Sequence, residues 1–106
     1  MGEILTVSTA APTRDAAVRL SRSAISAGLA AGGQIAGPVS SVFWHADEFG
    51  EGEEWVVAFK TTAARYDELE AHLIEHHEWQ NPEVTAVQIA RASAAYVEWV
   101  ERVTAK

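Results

Sequence analysis

The segment that most restricts the fold is the paired run Val39-Ser40-Ser41-Val42-Phe43-Trp44 and Trp55-Val56-Val57-Ala58-Phe59. Extended chain alternates its side chains between two faces, and in both runs apolar residues occupy both faces. A strand pair of this kind cannot leave one side in water. Helices stacked on one side of a sheet cover only one face, so a second burying surface is required, and in a chain of 106 residues another subunit is the expected source.

Around that hairpin, strand and helix signals alternate with no linker and no repeat. Ile4 to Ser8 is a short β-favouring run. Pro12 and Thr13 then open a helix, with Asp15 placed for its dipole, and Gly28 closes it after about Ala27. Ala17, Leu20 and Ala24 share one face, and their small size implies close packing on a sheet. Ala31 to His45 reads as a long strand, with Gly32-Gly33 and Gly37-Pro38 as bulges or a bend. Asp47 to Gly52 reads as a polar turn, and Trp55 to Thr61 as the strand that pairs back. Tyr66, Leu69 and Leu73 mark a second helix ending near His76, Val84 to Ala90 a last strand, and Tyr96, Val100 and Val103 a C-terminal helix. The order βαββαβα predicts one α+β domain over residues 1–106, a ferredoxin-like βαββαβ sandwich with an extra C-terminal helix.

Composition excludes several function classes. With no cysteine there is no disulfide, no thiolate metal site and no cysteine nucleophile, so imidazole nitrogen and carboxylate oxygen are the strong ligands available. Eight basic residues against fifteen acidic ones give a net charge of -7, which repels phosphate-rich partners, so nucleic acid is not expected. No apolar run reaches membrane-spanning length, and Met1 to Val7 lacks a basic leader pattern, so no membrane partner and a cytoplasmic location are expected. Ser8 and Ser41 have no histidine at a suggestive spacing, so no catalytic residue is assigned.

The candidate site is His76-His77-Glu78-Trp79-Gln80-Asn81-Pro82-Glu83-Val84, which gathers two imidazoles, carboxylates and an aromatic between two regular elements. Pro82 forces its predecessor out of helical geometry and sets Glu83 at the mouth of the following strand, where a carboxylate and an imidazole could converge. His77, Glu83 and His76 are therefore the candidate metal ligands. Each has a structural alternative. Both imidazoles stand where a helix C-terminus favours a cation, and Glu83 could pair with Lys60. Asp47, Glu48, Glu51, Glu53 and Glu54 lack the spacing of a calcium loop and read as a solvated hairpin tip. Trp44, Trp55, Trp79 and Trp99 read as core or interface anchors.

Six segments in order resemble the CutA divalent-cation tolerance family: Thr9-Ala10-Ala11-Pro12, Leu29-Ala30-Ala31, Ser41-Val42-Phe43-Trp44, Glu54 with Lys60-Thr61, His77 to Val84, and Tyr96-Val97-Glu98-Trp99. The stretch from His77 is similar to the family's His-Pro-Tyr-Glu-x-Pro-Glu-Ile motif, with Glu78 and Trp79 in place of its Pro and Tyr. Gly32 stands where the family has a cysteine. The resemblance implies a ferredoxin-like fold, a tight homotrimer related in architecture to PII signal proteins, and non-enzymatic copper or divalent-cation tolerance. With imidazole and carboxylate as its ligands, such a protein would take Cu(II) before Mg(II) or Ca(II). The alternative is a PII-like signalling or interaction module holding a small molecule in the cleft between subunits. Trp44, Lys60 and Trp79 would line that cleft, beside the loop from Ala11 to Thr13.

Overall fold

A computed structural model describes residues 3–105; Met1 and Gly2 of the N-terminal stretch, and Lys106, lie outside the described residues. The element order is β1 (Ile4–Ala11), α1 (Arg14–Ser26), β2 (Gly32–His45), β3 (Glu48–Thr62), a 3-10 turn (Ala63–Arg65), α2 (Tyr66–His76), β4 (Thr85–Gln88) and α3 (Ala94–Thr104). The four strands form one antiparallel sheet in the order β2-β3-β1-β4. This is the ferredoxin-like arrangement that the alternation of signals predicts.

Register explains the core. Val7 pairs with Phe59 and Thr9 with Val57, so the alternate residues Leu5, Val7, Thr9 and Ala11 share one face with Trp55, Val57, Phe59 and Thr61. Helices α1 and α2 cover that face. Ala17, Leu20 and Ala24 of α1 and Leu69 and Leu73 of α2 are buried against Val7, Val57 and Phe59. At the start of α1 the Thr13 hydroxyl accepts the Ala16 N–H at 3.1 Å. At its end Gly28, at φ 74, turns the chain so that its N–H bonds Ile25 O and the Leu29 N–H bonds Ala24 O, a closure open to glycine because of its left-handed backbone.

The opposite face carries Ile4, Thr6, Ser8 and Ala10 with Thr62, Lys60, Ala58 and Val56. Helix α3 caps one end of it: Val97 and Val100 bury Ile4, with Ala31, Ile89 and Trp99 around them. Beyond α3, Val87 of β4 is 69% exposed.

Three expectations are corrected. The hairpin turn is not Asp47 to Gly52 but the two residues Ala46 and Asp47, at φ 52 and 64, and β3 already begins at Glu48. Two consecutive residues at positive φ match the twist of the strands they join, which lets pairing run to the tip, so the acidic residues from Glu48 onward sit in the ladder of an exposed arm. Gly32 and Gly33 pair in register with Lys60 and Phe59, and the irregularity falls between Ala36 and Val39, at the cis Gly37–Pro38 peptide. Gly37 is required there, since a Cβ would stand 2.7 Å from the Trp55 ring. The last strand spans Thr85–Gln88 instead of Val84 to Ala90.

The arm makes the molecule long. Its extents are 44 × 25 × 21 Å and its radius of gyration is 14.3 Å, against about 13 Å for a compact chain of this size.

Candidate functional site

Helix α2 runs beside α1 and delivers its C-terminal turn next to the end of β1. There, Ala11, Pro12, Arg19, Ser23, His76, His77 and Glu78 are among the residues lining a groove of about 260 Å³. Its outer wall is closed by the Arg19–Glu78 ion pair at 3.0 Å, which is exposed and so contributes about 1 kcal/mol at most.

His77 has both ring nitrogens in use. Nδ1 accepts the Trp79 N–H at 3.0 Å, so the ring proton resides on Nε2 and is donated to Ala10 O at 2.7 Å. The ring is thereby neutral and ties the loop after α2 to β1, with Trp79 tilted against it at 5.3 Å. A metal ion could reach His77 only by displacing one of these bonds. Glu83 accepts the Thr85 hydroxyl at 3.0 Å, which is the local bond it makes at the mouth of β4.

His76 differs. Its Nδ1–H donates to the His72 carbonyl at 2.8 Å, which leaves Nε2 as a lone-pair donor on an exposed residue. Its ring stacks on that of His72, centroids 4.0 Å apart at 23°. His72 Nε2 in turn lies 2.7 Å from the Ser23 hydroxyl of α1. Burial, then the charge of His76, pushes the His72 imidazole below its ordinary value, with Glu75 pulling the other way. A neutral imidazole is the form that binds metal.

The structure thus brings His76 and His77 to one groove but does not gather them with Glu83. Among the described residues no group of three or more His, Asp, Glu or Cys side chains is disposed to hold a metal ion. Lys60 lies on the sheet face away from α1 and α2, half-buried between Thr6 and Gly32. Trp44 is 75% exposed near the arm tip, edge-on to Phe49 at 5.7 Å. Phe49 and Lys60 stand eleven positions apart, roughly 35 Å of strand, so Trp44 and Lys60 cannot line one cleft within a single chain. The sequence reading missed His72 and Ser23, although His72 and His76 carry a helical i, i+4 spacing that was there to be read.

Fold and site together define a small ferredoxin-like α+β protein with a histidine-bearing helix end and a projecting two-stranded β arm. The model of the CutA1 divalent ion tolerance protein family matches residues 5–103, and the chain belongs to that family. It is 33% identical over 93 residues to the chloroplastic protein CutA 1 of Oryza sativa subsp. japonica, covering 88% of this chain and 52% of the relative. It is 32% identical over 94 residues to the chloroplastic CutA of Arabidopsis thaliana, covering 88% and 51%. The chain spans about half the length of these curated relatives. The crystal structure of CutA1 from Oryza sativa superposes with a TM-score of 0.95 at 30% identity, over 99% of this chain and 96% of that one. No helix among the described residues is long and apolar enough to cross a membrane.

Proposed function

We propose that the chain is a divalent-cation-binding protein without catalytic turnover, acting as a homotrimer in the cytoplasm. The observation that carries the cation reading is the free Nε2 of His76 on an exposed helix end, in a chain of a divalent ion tolerance family. With imidazole and carboxylate but no thiolate, Cu(II) is the ion of choice, and Mg(II) and Ca(II), which need cages of oxygen ligands, are poor fits. His76 is available as it stands. His77 joins only by giving up its bond to Ala10 or to Trp79, whereas Glu83 keeps lone pairs free beside its bond from Thr85.

The trimer is supported by the apolar side chains left bare on the arm. Val42, Trp44 and Phe49 are 60%, 75% and 65% exposed, a clustering that isolated monomers avoid. The two plant relatives are named as chloroplastic, so cell fractionation is the check on the compartment.

Calorimetric titration at pH 7.5 tests the cation reading: Cu(II) should bind at a defined number per chain, and Mg(II) and Ca(II) should give no comparable heat. Equal, weak heats for all three ions would refute it. The alternative, a PII-like module with a small molecule between copies, draws support from the same separation of Trp44 and Lys60, which only a neighbouring copy could bridge. A metabolite that raises the melting point of the metal-free protein, and no longer does so in Lys60→Ala, would favour it.

A further inference from the structure

We propose that His72 and His76 form a two-imidazole chelate for a divalent transition-metal ion of the Cu(II), Ni(II) or Zn(II) class, on the α1-facing edge of α2 with Ser23 beside it. The inference rests on the cation-binding reading for the kind of ligand, and assigns the residues that take it.

Position four apart on a helix puts two side chains on one face, and the same spacing lets paired histidines share one metal in helical metal sites. Here the rings already lie together, 4.0 Å between centroids. Closing a chelate asks the stacked rings, 23° apart, to turn so that their in-plane lone pairs converge, while the helix backbone already holds them within reach. His76 is prepared as a ligand: its Nδ1–H is donated to the His72 carbonyl, the outer-shell partner that fixes ring orientation and leaves Nε2 for the ion. His72 is held by the Ser23 hydroxyl at 2.7 Å. If Nε2–H donates to Ser23, Nδ1 is the free nitrogen; if the hydroxyl donates, the ion takes Nε2 and the serine turns away. Either way one ring nitrogen of His72 serves the metal.

Access agrees with this. His76 is exposed and His72 half-buried, so an ion arrives from solvent and completes its coordination with water. The pair offers nitrogen alone, which selects against Ca(II) and Mg(II). His77 is not part of the pair, because both of its nitrogens hold the loop.

Four histidines in the chain make the test direct. In the intact protein at pH 7.5, substoichiometric Cu(II) should broaden the ring proton resonances of His72 and His76 first, and the frozen-solution electron paramagnetic resonance spectrum should show nitrogen ligation. By calorimetry, His72→Gln and His76→Gln should each weaken Cu(II) and Zn(II) binding by roughly tenfold or more, a loss of the size seen when metal-site partners are removed. His45→Gln, at the far end of the arm, should bind as the parent does. Circular dichroism confirms that each variant is folded, and the broadening pattern in the parent decides the matter if one is not. Broadening centred on His77 or His45, or full affinity in folded His72→Gln, overturns the chelate while leaving cation binding intact. A parent that takes up no Cu(II), Ni(II) or Zn(II) overturns both.

Discussion

The two faces of the sheet are built from neighbouring residues of the same strands, yet they end in opposite states. Under α1 and α2, Val7, Val57, Phe59, Leu69 and Leu73 are entirely buried. On the far side and along the arm, Trp44, Phe49, Val42 and Val87 remain mostly exposed. The first face is finished within the chain, by helices whose small residues allow close approach. The second is finished only at the end where α3 covers Ile4. The difference separates folding from assembly: substitutions on the first face should unfold the protomer, and substitutions on the second should part the copies.

The largest effect is expected in the core. Phe59→Ala should cost about 3–5 kcal/mol of unfolding free energy, since a fully buried ring leaves a cavity between sheet and helices. A loss below about 1 kcal/mol in urea unfolding would mean that this face is not the one that holds the protomer together. Next comes Trp44→Asp. It should remove about 2 kcal/mol or more of contact free energy between copies and so lower the sedimenting mass, with far-ultraviolet circular dichroism unchanged. Retention of the parent's mass would contradict the separation.

A smaller effect belongs to the helix layer. The His72 imidazole titrates below its ordinary 6.5 in the folded chain, so the unfolded chain binds the proton more readily between the two values. Stability from this group is therefore complete above about pH 6.5 and declines as the pH falls toward and through the folded value. Thermal melts should show that decline flattened in His72→Gln, and an unchanged slope would remove His72 as its source. Metal binding at His72 should weaken as the pH falls, because proton and ion compete for its ring nitrogen.

The smallest effect lies at the arm tip. Ala46 and Asp47 occupy left-handed backbone without a glycine, so Ala46→Asn with Asp47→Gly should raise the melting free energy by about 0.5–1 kcal/mol. A loss of stability would show that the alanine makes a contact worth more than its strain.

What could be read from the sequence follows the range of the interactions. The two-sided apolar hairpin, the stripe of Ala17, Leu20 and Ala24, and the closing Gly28 act through near neighbours, and each is legible. The turn was misplaced because Glu48, Glu51, Glu53 and Glu54 resemble loop composition, whereas a projecting arm solvates charged side chains on paired strands equally well. Nothing in Ala46 announces positive φ. The site was harder still. The fixed tautomer of His77 depends on Ala10, 67 residues away, and the hold on His72 depends on Ser23, 49 residues away. Residue types near His76 point to the right turn of chain, but only the packing of α2 on α1 shows which imidazole is occupied and which is free.

Sedimentation equilibrium of the full chain at micromolar concentration tests most directly whether copies of the protein complete the bare face. A mass three times the 11.4 kDa of one chain is the expected result, and a single species at 11.4 kDa would contradict the account.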